Sequence, residues 1–454
     1  MRKVLVELLC TVALGAFANP ADDLLNRIDK GADAKFKTVL VKSDKDFFEI
    51  DQARTRKGSS TSAASKSATG KNNPIIIRGN SWVNIAVGIN WYLKHHAGIH
   101  ISWNNMNVKL PAVLPAVKQK ERHETDLKLR YNFNYCTFSY TMAFWDWNRW
   151  QKEIDWMALH GINMPLAAVG TESVWRNMLL KLGYSEEEVG KFIAGPAFLA
   201  WWEMNNLEGW GGPLPLSWYK QQEALQKKIL ARMKEMGMKP VLPGYCGMVP
   251  HDAKQKLGLN VTDAGRWNSY QRPANLSPTD NRFAEIADLY YKELTRLYGK
   301  SDYYSMDPFH ESGNDAAVDY GKAGEALMSA MKRANPHAIW VVQGWNENPR
   351  PQMIANLKVG DLLVLDLFSE SRQNFEDFCT EDNTSGTGKK DFSTSKKEGI
   401  YGKHQWLFCL LENFGGNVGL HGRMDQLLNN FYLATGKKDT QKQENSSLLT
   451  LHSS

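Results

Sequence analysis

The sequence predicts an α/β protein: a large unit built on a parallel sheet, preceded by a small α/β domain. Three observations predict it. From about residue 130, apolar strand-like runs alternate with helix-length stretches, the pattern of a parallel sheet with crossover helices. Before that point, a few short apolar runs cluster around one helix-like segment, so residues 25–115 read as a separate small domain. A chain of 454 residues with 43% hydrophobic and 23% charged residues is long enough for more than one core and globular in composition.

The small domain has TVLVKS (38–43), FFEI (47–50) and PIIIRG (74–79) as strands, with RKGSSTSAASKSATGKNN (56–73) as a loop between them. NSWVNIAVGINWYLKHHAG follows as a helix, with Asn80 or Ser81 as N-cap and Val83, Ala86, Val87 and Trp91 at helical spacing. IHISW and VKLP are expected as two further strands. In the large unit the expected strands are YNFNYCTF (131–138), GINMPLAA (161–168), KPVLPGY (239–245), DYYSMDPF (302–309), AIWVVQGW (338–345), DLLVLDLF (361–368) and QWLFCLLE (405–412). Between the first two, WNRWQKEIDWMALH (147–160) sets Trp147, Trp150, Ile154 and Met157 on one apolar stripe, which reads as core packing. The count is seven, one short of the eight that a (β/α)8 barrel needs to close, and nothing after residue 413 reads as another.

Composition narrows the function classes. A net charge of +6 is small for this length, and the Lys and Arg of KQQEALQKKILARMKEMG (220–237) alternate with acids as on a solvated helix face. No nucleic-acid partner is expected, and no segment is long and apolar enough to span a membrane. Sixteen Trp is unusual. Most are expected in the core, but sugar clefts also use such rings against the apolar face of a pyranose. Arg2, Lys3, an apolar stretch broken by Glu7, and Ala16-Phe17-Ala18 form a signal-peptide pattern over 1–18. Cysteines at 10, 136, 246, 379 and 409 have no metal spacing. Asn260, Asn275, Asn383 and Asn445 head N-x-S/T triplets.

In parallel α/β folds, working residues gather at the C-terminal ends of strands. Those ends carry Asn134, Cys136, Tyr245, Glu311, Trp345 with Glu347, Glu370, and Glu412 with Asn413. The set is carboxylates, amides and aromatics, without a nucleophile elbow or a phosphate-binding Gly loop. That is the equipment of glycoside hydrolysis, in which one carboxylic acid protonates the leaving oxygen and a second carboxylate acts as nucleophile or base. A strand-end Glu more often makes a structural hydrogen bond, and Cys136 reads as a small buried hydrophobe. Glu311 stands out because a strand, a turn and neighbouring aromatics in SMDPFHESGND agree on it.

The block YNFNYCTFSYTMAFWDWNRWQKEIDWMALHGIN (131–163) resembles the α-N-acetylglucosaminidase family of glycoside hydrolases. So do GPAFLAWWEMNNLEGWGGPLP (195–215), GMKPVLPGYCGMVP (237–250), DPFHES (307–312), VVQGW (341–345), LLVLDLFSES (362–371) and CLLENFGGNVGLHG (409–422), in order from about 75 to 434. The resemblance implies a small N-terminal α/β domain, a (β/α)8 TIM barrel over 120–434 and a helical C-terminal domain. It also implies removal of terminal non-reducing α-linked N-acetylglucosamine with retention, without metal or organic cofactor. By motif it carries the general acid/base to Glu311, and substrate binding to Asn134, Cys136, Tyr140, Trp201, Met204 and Trp345. With the signal-peptide pattern, a secreted, periplasmic or lysosomal location is expected.

The resemblance also implies a nucleophilic Glu in an M-x-P-E-G or M-x-x-E-G segment beyond NFGGN, and no such segment occurs between 423 and 454. The helical domain has no counterpart, and 435–454 reads as an unstructured tail. The stretch at 379–399 is longer than the resemblance leads one to expect. The expectation is therefore a C-terminally truncated chain with an incomplete, seven-strand barrel, inactive for want of the nucleophile. Glu412 and Glu370 are strand-end substitutes, although the resemblance gives the block of Glu412 to pocket shaping. The alternative is a non-catalytic carbohydrate-binding remnant.

Overall fold

The computed structural model describes residues 19–52, 73–309, 318–345, 348–367, 369, 404–410 and 431. The chain divides into two compact units, Met1–Glu124 and Thr125–Ser454.

In the first unit, helix α1 (Pro20–Ile28) starts where Asn19 Oδ1 accepts from the Ala21 N–H at 3.0 Å and Pro20 presets the first turn. A sheet of order β1-β3-β2-β4 is formed by β1 (Phe36–Leu40), β2 (Asp46–Gln52), β3 (Ile75–Gly79) and β4 (Glu121–Thr125). Strands β1 and β3 run parallel, β2 and β3 antiparallel. Helix α2 (Trp82–His95) is capped by Ser81, whose hydroxyl accepts from the Asn84 N–H at 3.1 Å. It lies close on the sheet: a Cβ at Gly88 would stand 2.7 Å from Ile77 Cγ2. Two expected strands are absent. IHISW is folded back by a tight turn in which Ser102 and Asn105 exchange backbone hydrogen bonds at 3.2 and 3.0 Å. In VKLP the Leu110 N–H is taken by Asp29 Oδ2 at 3.0 Å instead of a neighbouring strand. Strand β4, which follows residue 115, has no counterpart in the sequence reading.

The second unit is wound as strand and crossover helix. Strand β5 (Tyr131–Asn132) is followed by helices α3 (Tyr135–Tyr140) and α4 (Trp147–Leu159), and leads to β6 (Met164–Pro165). Between β6 and β7 (Val241–Pro243) lie α5 (Thr171–Lys181), α6 (Glu186–Phe192), α7 (Leu199–Glu203) and the long α8 (Leu216–Glu235). Next come β8 (Met248–Val249), α9 (Ala253–Leu257), β9 (Val261–Asp263), the hairpin β10 (Arg266–Trp267) and β11 (Tyr270–Gln271), β12 (Ala274–Leu276) and α10 (Phe283–Tyr298). The chain then runs through β13 (Tyr303–Ser305), α11 (Tyr320–Ala334), β14 (Ile339–Gly344), α12 (Pro351–Ile354), β15 (Leu362–Asp366) and β16 (Gln405–Phe408).

Among the described residues the parallel strands are β5, β6, β7, β13, β14, β15 and β16, in chain order around the sheet. Pairing between β6 and β7 is reduced to one bridge, Leu166 to Val241. Each of the seven coincides with a sequence-predicted run, but the first is cut short. Phe133 takes a left-handed conformation (φ 78°) and Asn134 caps α3, so the YNFNYCTF run is strand only over its first two residues. The core lies between the sheet and the helices: β7, β13 and β15 are buried along their whole length. On α4, Trp150, Ile154 and Met157 are fully buried, as the stripe predicts, whereas Trp147 at the start of the helix is only half-buried. Behind it, Asp155 of α4 and Arg232 of α8 pair at 3.0 Å, both almost fully buried. Among the described residues, Cys136, Cys246 and Cys409 form no disulfide. The segments 1–18, 379–399 and 435–454 fall outside the described residues.

Candidate active site

The segments that leave each parallel strand toward its helix all emerge at the C-terminal edge of the sheet, where α/β enzymes place their working residues. Three such segments are long here: β5 to α4, β6 to α8, and β7 to α10.

The first carries three of the predicted residues. Asn134 is buried, and its side-chain oxygen accepts from the Thr137 N–H and hydroxyl, both at 3.0 Å. It is a helix cap here, not a strand end. Cys136 is half-buried in the first turn, and Tyr140 is exposed at the last residue of α3. Burial and the nearby Cys136 raise the Tyr140 phenol above its ordinary value. Tyr135, which the sequence reading passed over, reaches across the sheet, and its buried hydroxyl donates to Ser305 O of β13 at 2.9 Å.

The second segment supplies α7, with Trp201 on it and Met204 as its C-cap. Two contacts bring α7 to α3: Ser139 Oγ accepts from the Ala200 N–H at 3.0 Å, and the rings of Tyr140 and Trp201 meet edge-on at 5.1 Å and 83°. Five predicted residues, Asn134, Cys136, Tyr140, Trp201 and Met204, therefore sit on two packed helices. The sixth, Trp345, follows β14 directly and bridges to Asn348, with N–H to carbonyl distances of 3.0 and 2.8 Å.

Glu311, Glu347, Glu370 and Glu412 lie outside the described residues. The segment entering Glu311 is described as far as Phe309. Its anchor is Asp307, which accepts from the Gln343 N–H at 2.7 Å and from Asn348 Nδ2 at 3.0 Å, and also pairs with the Gln343 amide group. Asn348 Nδ2 lies 2.7 Å from Gln343 O as well. Asp307 thus fastens the end of one strand to the end of the next, four residues before Glu311. The sequence reading quoted DPFHES and passed over its first residue. A carboxylate before Pro at a strand end was the available signal.

Two more carboxyl groups went unread. Glu172 is buried at the start of α5, accepts from Trp218 Nε1 at 2.8 Å, and is pushed up to about 7 by burial. Glu203, between Trp201 and Met204, is raised well above the carboxylate range by burial and by the nearby charge of Glu172. Both favour the neutral acid, which can donate a hydrogen bond. Nothing in single-sequence periodicity marks them, because their burial comes from α5 and α7 folding over the sheet. Among the described residues there is no group of three or more metal-ligating side chains and no helix long and apolar enough to cross a membrane. Aromatic walls, a thiol, a thioether and neutral acids suit a neutral polar ligand with apolar faces, such as a sugar.

Comparison with known proteins agrees in fold and sequence. The family profile "Alpha-N-acetylglucosaminidase (NAGLU) tim-barrel domain" matches residues 130–446, and that of the corresponding N-terminal domain matches 19–116. The human protein Alpha-N-acetylglucosaminidase is 36% identical over 365 residues, 77% of this chain and 46% of the human one. A family 89 glycoside hydrolase from Clostridium perfringens, solved with 2-acetamido-1,2-dideoxynojirmycin, superposes with a TM-score of 0.72 at 35% identity, covering 79% of this chain and 40% of that one. The same enzyme carrying two Glu-to-Gln substitutions, solved with its substrate GlcNAc-alpha-1,4-galactose, gives the same figures. The chain therefore spans less than half the length of these relatives. It belongs to the α-N-acetylglucosaminidase family, glycoside hydrolase family 89.

Proposed function

We propose that this chain carries the sugar pocket and the general acid of an exo-acting α-N-acetylglucosaminidase, specific for terminal non-reducing α-linked N-acetylglucosamine. The observation that carries the reading is the packing of α3 on α7, which joins Asn134, Cys136 and Tyr140 to Trp201 and Met204 at the C-terminal edge of the sheet. In this reading the rings of Trp201, Tyr140 and Trp345 bound the pyranose, and Cys136 and Met204 face the acetamido methyl. Asn134 both caps α3 and lies beside the sugar hydroxyls.

Glu311 is the proposed general acid/base. It protonates the glycosidic oxygen as the bond to the anomeric carbon breaks, and later takes a proton from the water that releases the sugar. Retention needs a second carboxylate that attacks the anomeric carbon and forms a covalent glycosyl intermediate. Two replaced glutamates in the substrate-bound relative from Clostridium perfringens fit a two-carboxylate mechanism. Within residues 1–454 no M-x-P-E-G or M-x-x-E-G segment follows NFGGN. Because residues that act as a unit fail together, removing Glu311 is expected to abolish turnover.

The test is hydrolysis of an aryl α-N-acetylglucosaminide by the purified chain and by Glu311→Gln. Glu311→Gln is expected to abolish any turnover that the chain shows. Turnover by the unsubstituted chain that Glu311→Gln abolishes would uphold the role of Glu311. Turnover that survives Glu311→Gln would remove Glu311 from the mechanism.

A further inference from the structure

Beyond α7 the chain displays a tryptophan that the pocket reading does not use. Trp210 is 49% exposed, yet its backbone is firmly held. Its carbonyl accepts from the Gly195 N–H at 2.8 Å, the Gly209 N–H before it reaches Phe192 O at 2.8 Å, and the Glu208 N–H reaches Gln271 O at 3.0 Å. Glycine permits this closeness: a Cβ at Gly209 would stand 2.2 Å from Lys191 O, and one at Gly195 2.1 Å from Gly211 O. Gly209 and Gly211 also take left-handed conformations, with φ 68° and 73°. A large apolar ring held half in water on a clamped loop is a preorganised contact, because little side-chain or loop freedom remains to be lost on binding.

Trp210 is one ring of a line. Its ring meets Tyr270 at 5.1 Å and Phe198 at 6.3 Å, both edge-on, and Tyr270 in turn lies 6.4 Å from Trp267. The hairpin β10–β11 carries Trp267 and Tyr270 on either side of its two-residue turn, Asn268-Ser269, with Asn268 left-handed at φ 53°. Arg266, Asn268 and Ser269 are exposed beside the rings, whereas Tyr270, Trp267 and Phe198 are half-buried. The line connects to the pocket at two places. Phe198 precedes Trp201 by one helical turn, and Asn205, next to Met204, bonds Asn275 of β12 through Nδ2 at 2.7 Å and accepts from Arg272 at 3.4 Å.

We propose that Phe198, Trp210, Tyr270 and Trp267 form an aglycone subsite, which takes the neutral pyranose units that follow the terminal N-acetylglucosamine of an oligosaccharide. The proposal rests on the pocket reading above and deepens it. An exo-acting pocket holds the terminal sugar, so the leaving saccharide must extend outward over the rim, and the line of rings is the rim on the α7 side. Rings stack on the C–H faces of a pyranose while the exposed Arg, Asn and Ser meet its hydroxyls. A narrow line with a single well-exposed ring differs from the broad apolar patch of a protein interface.

The test is calorimetric titration of the full chain with the methyl α-glycoside of N-acetylglucosamine and with a tetrasaccharide ending in α-linked N-acetylglucosamine. The unsubstituted chain, Trp210→Ala, Tyr270→Ala and Phe144→Ala are compared. Phe144 is an exposed ring outside the line, packed against Trp218. The tetrasaccharide is expected to bind about tenfold tighter than the monosaccharide. That ratio should fall toward one in Trp210→Ala and Tyr270→Ala and hold in Phe144→Ala; if one strip variant unfolds, the other gives the reading. A ratio of one in the unsubstituted chain, an unchanged ratio in both strip variants, or an equal fall in Phe144→Ala overturns the proposal. Tetrasaccharide binding that depends on Trp210, with no binding of the monosaccharide, would refute the pocket reading and leave the strip standing as a saccharide site. Binding of neither ligand overturns both.

Discussion

Glu172 shows how one buried carboxyl group makes a fold depend on pH. Its value rises from 4.5 to about 7 because burial penalises the charged form more than the Trp218 hydrogen bond favours it. A group with a raised folded-state value binds its proton more tightly folded than unfolded. Its contribution is therefore fully present below pH ~4.5 and lost as pH rises through ~7, by about 3 kcal/mol over that interval. Glu172→Gln keeps an acceptor for Trp218 and removes the titration. Urea midpoints measured from pH 4.5 to 7.5 should fall with pH in the unsubstituted chain and be flatter in Glu172→Gln. Equal slopes would contradict the assignment. Asp307 works at the same scale by another route, since its hydrogen bonds to Gln343 and Asn348 order two loop entries at once.

Among elements, α4 and α8 are held by a buried ion pair as well as by apolar contact. Asp155 and Arg232 are each about 95% covered, so removing one partner leaves a charge that water cannot reach. Asp155→Ala is expected to lose about 3–5 kcal/mol, read from the urea midpoint. A loss under 1 kcal/mol would mean that Arg232 finds compensation, with Glu235 at 3.2 Å the available partner. Legibility in the sequence also varies by element. Strands β13, β14 and β15 were readable because buried parallel strands are short apolar runs between turn signals. The run YNFNYCTF misled, because aromatics fit a strand and a short helix equally well; Asn134 with Thr137 three residues on was the capping clue. The strands β8 to β12 went unread, since each is two or three residues long and held by its neighbours more than by its own pattern. The packing of α3 on α7 was legible only through the family blocks, because its partners are 61 residues apart along the chain.

Among the described residues of the second unit, the parallel strands β5, β6, β7, β13, β14, β15 and β16 lie side by side in chain order, with β8 to β12 set apart in small sheets of their own. That order sends every strand-to-helix segment to the same edge, so residues as distant as Asn134, Trp201 and Trp345 can serve one site. It also explains why the long segments after β5, β6 and β7 hold the aromatic and thioether side chains while the crossover helices hold the core. This edge is the proposed pocket for N-acetylglucosamine. Tryptophan fluorescence during titration of the 454-residue chain with N-acetylglucosamine tests it most directly, with Trp345→Ala in parallel. Saturable binding is expected, weakened by about tenfold in Trp345→Ala, the loss of roughly one ring contact. A folded chain that shows no saturable response, or one whose affinity is the same with Ala at position 345, would contradict it.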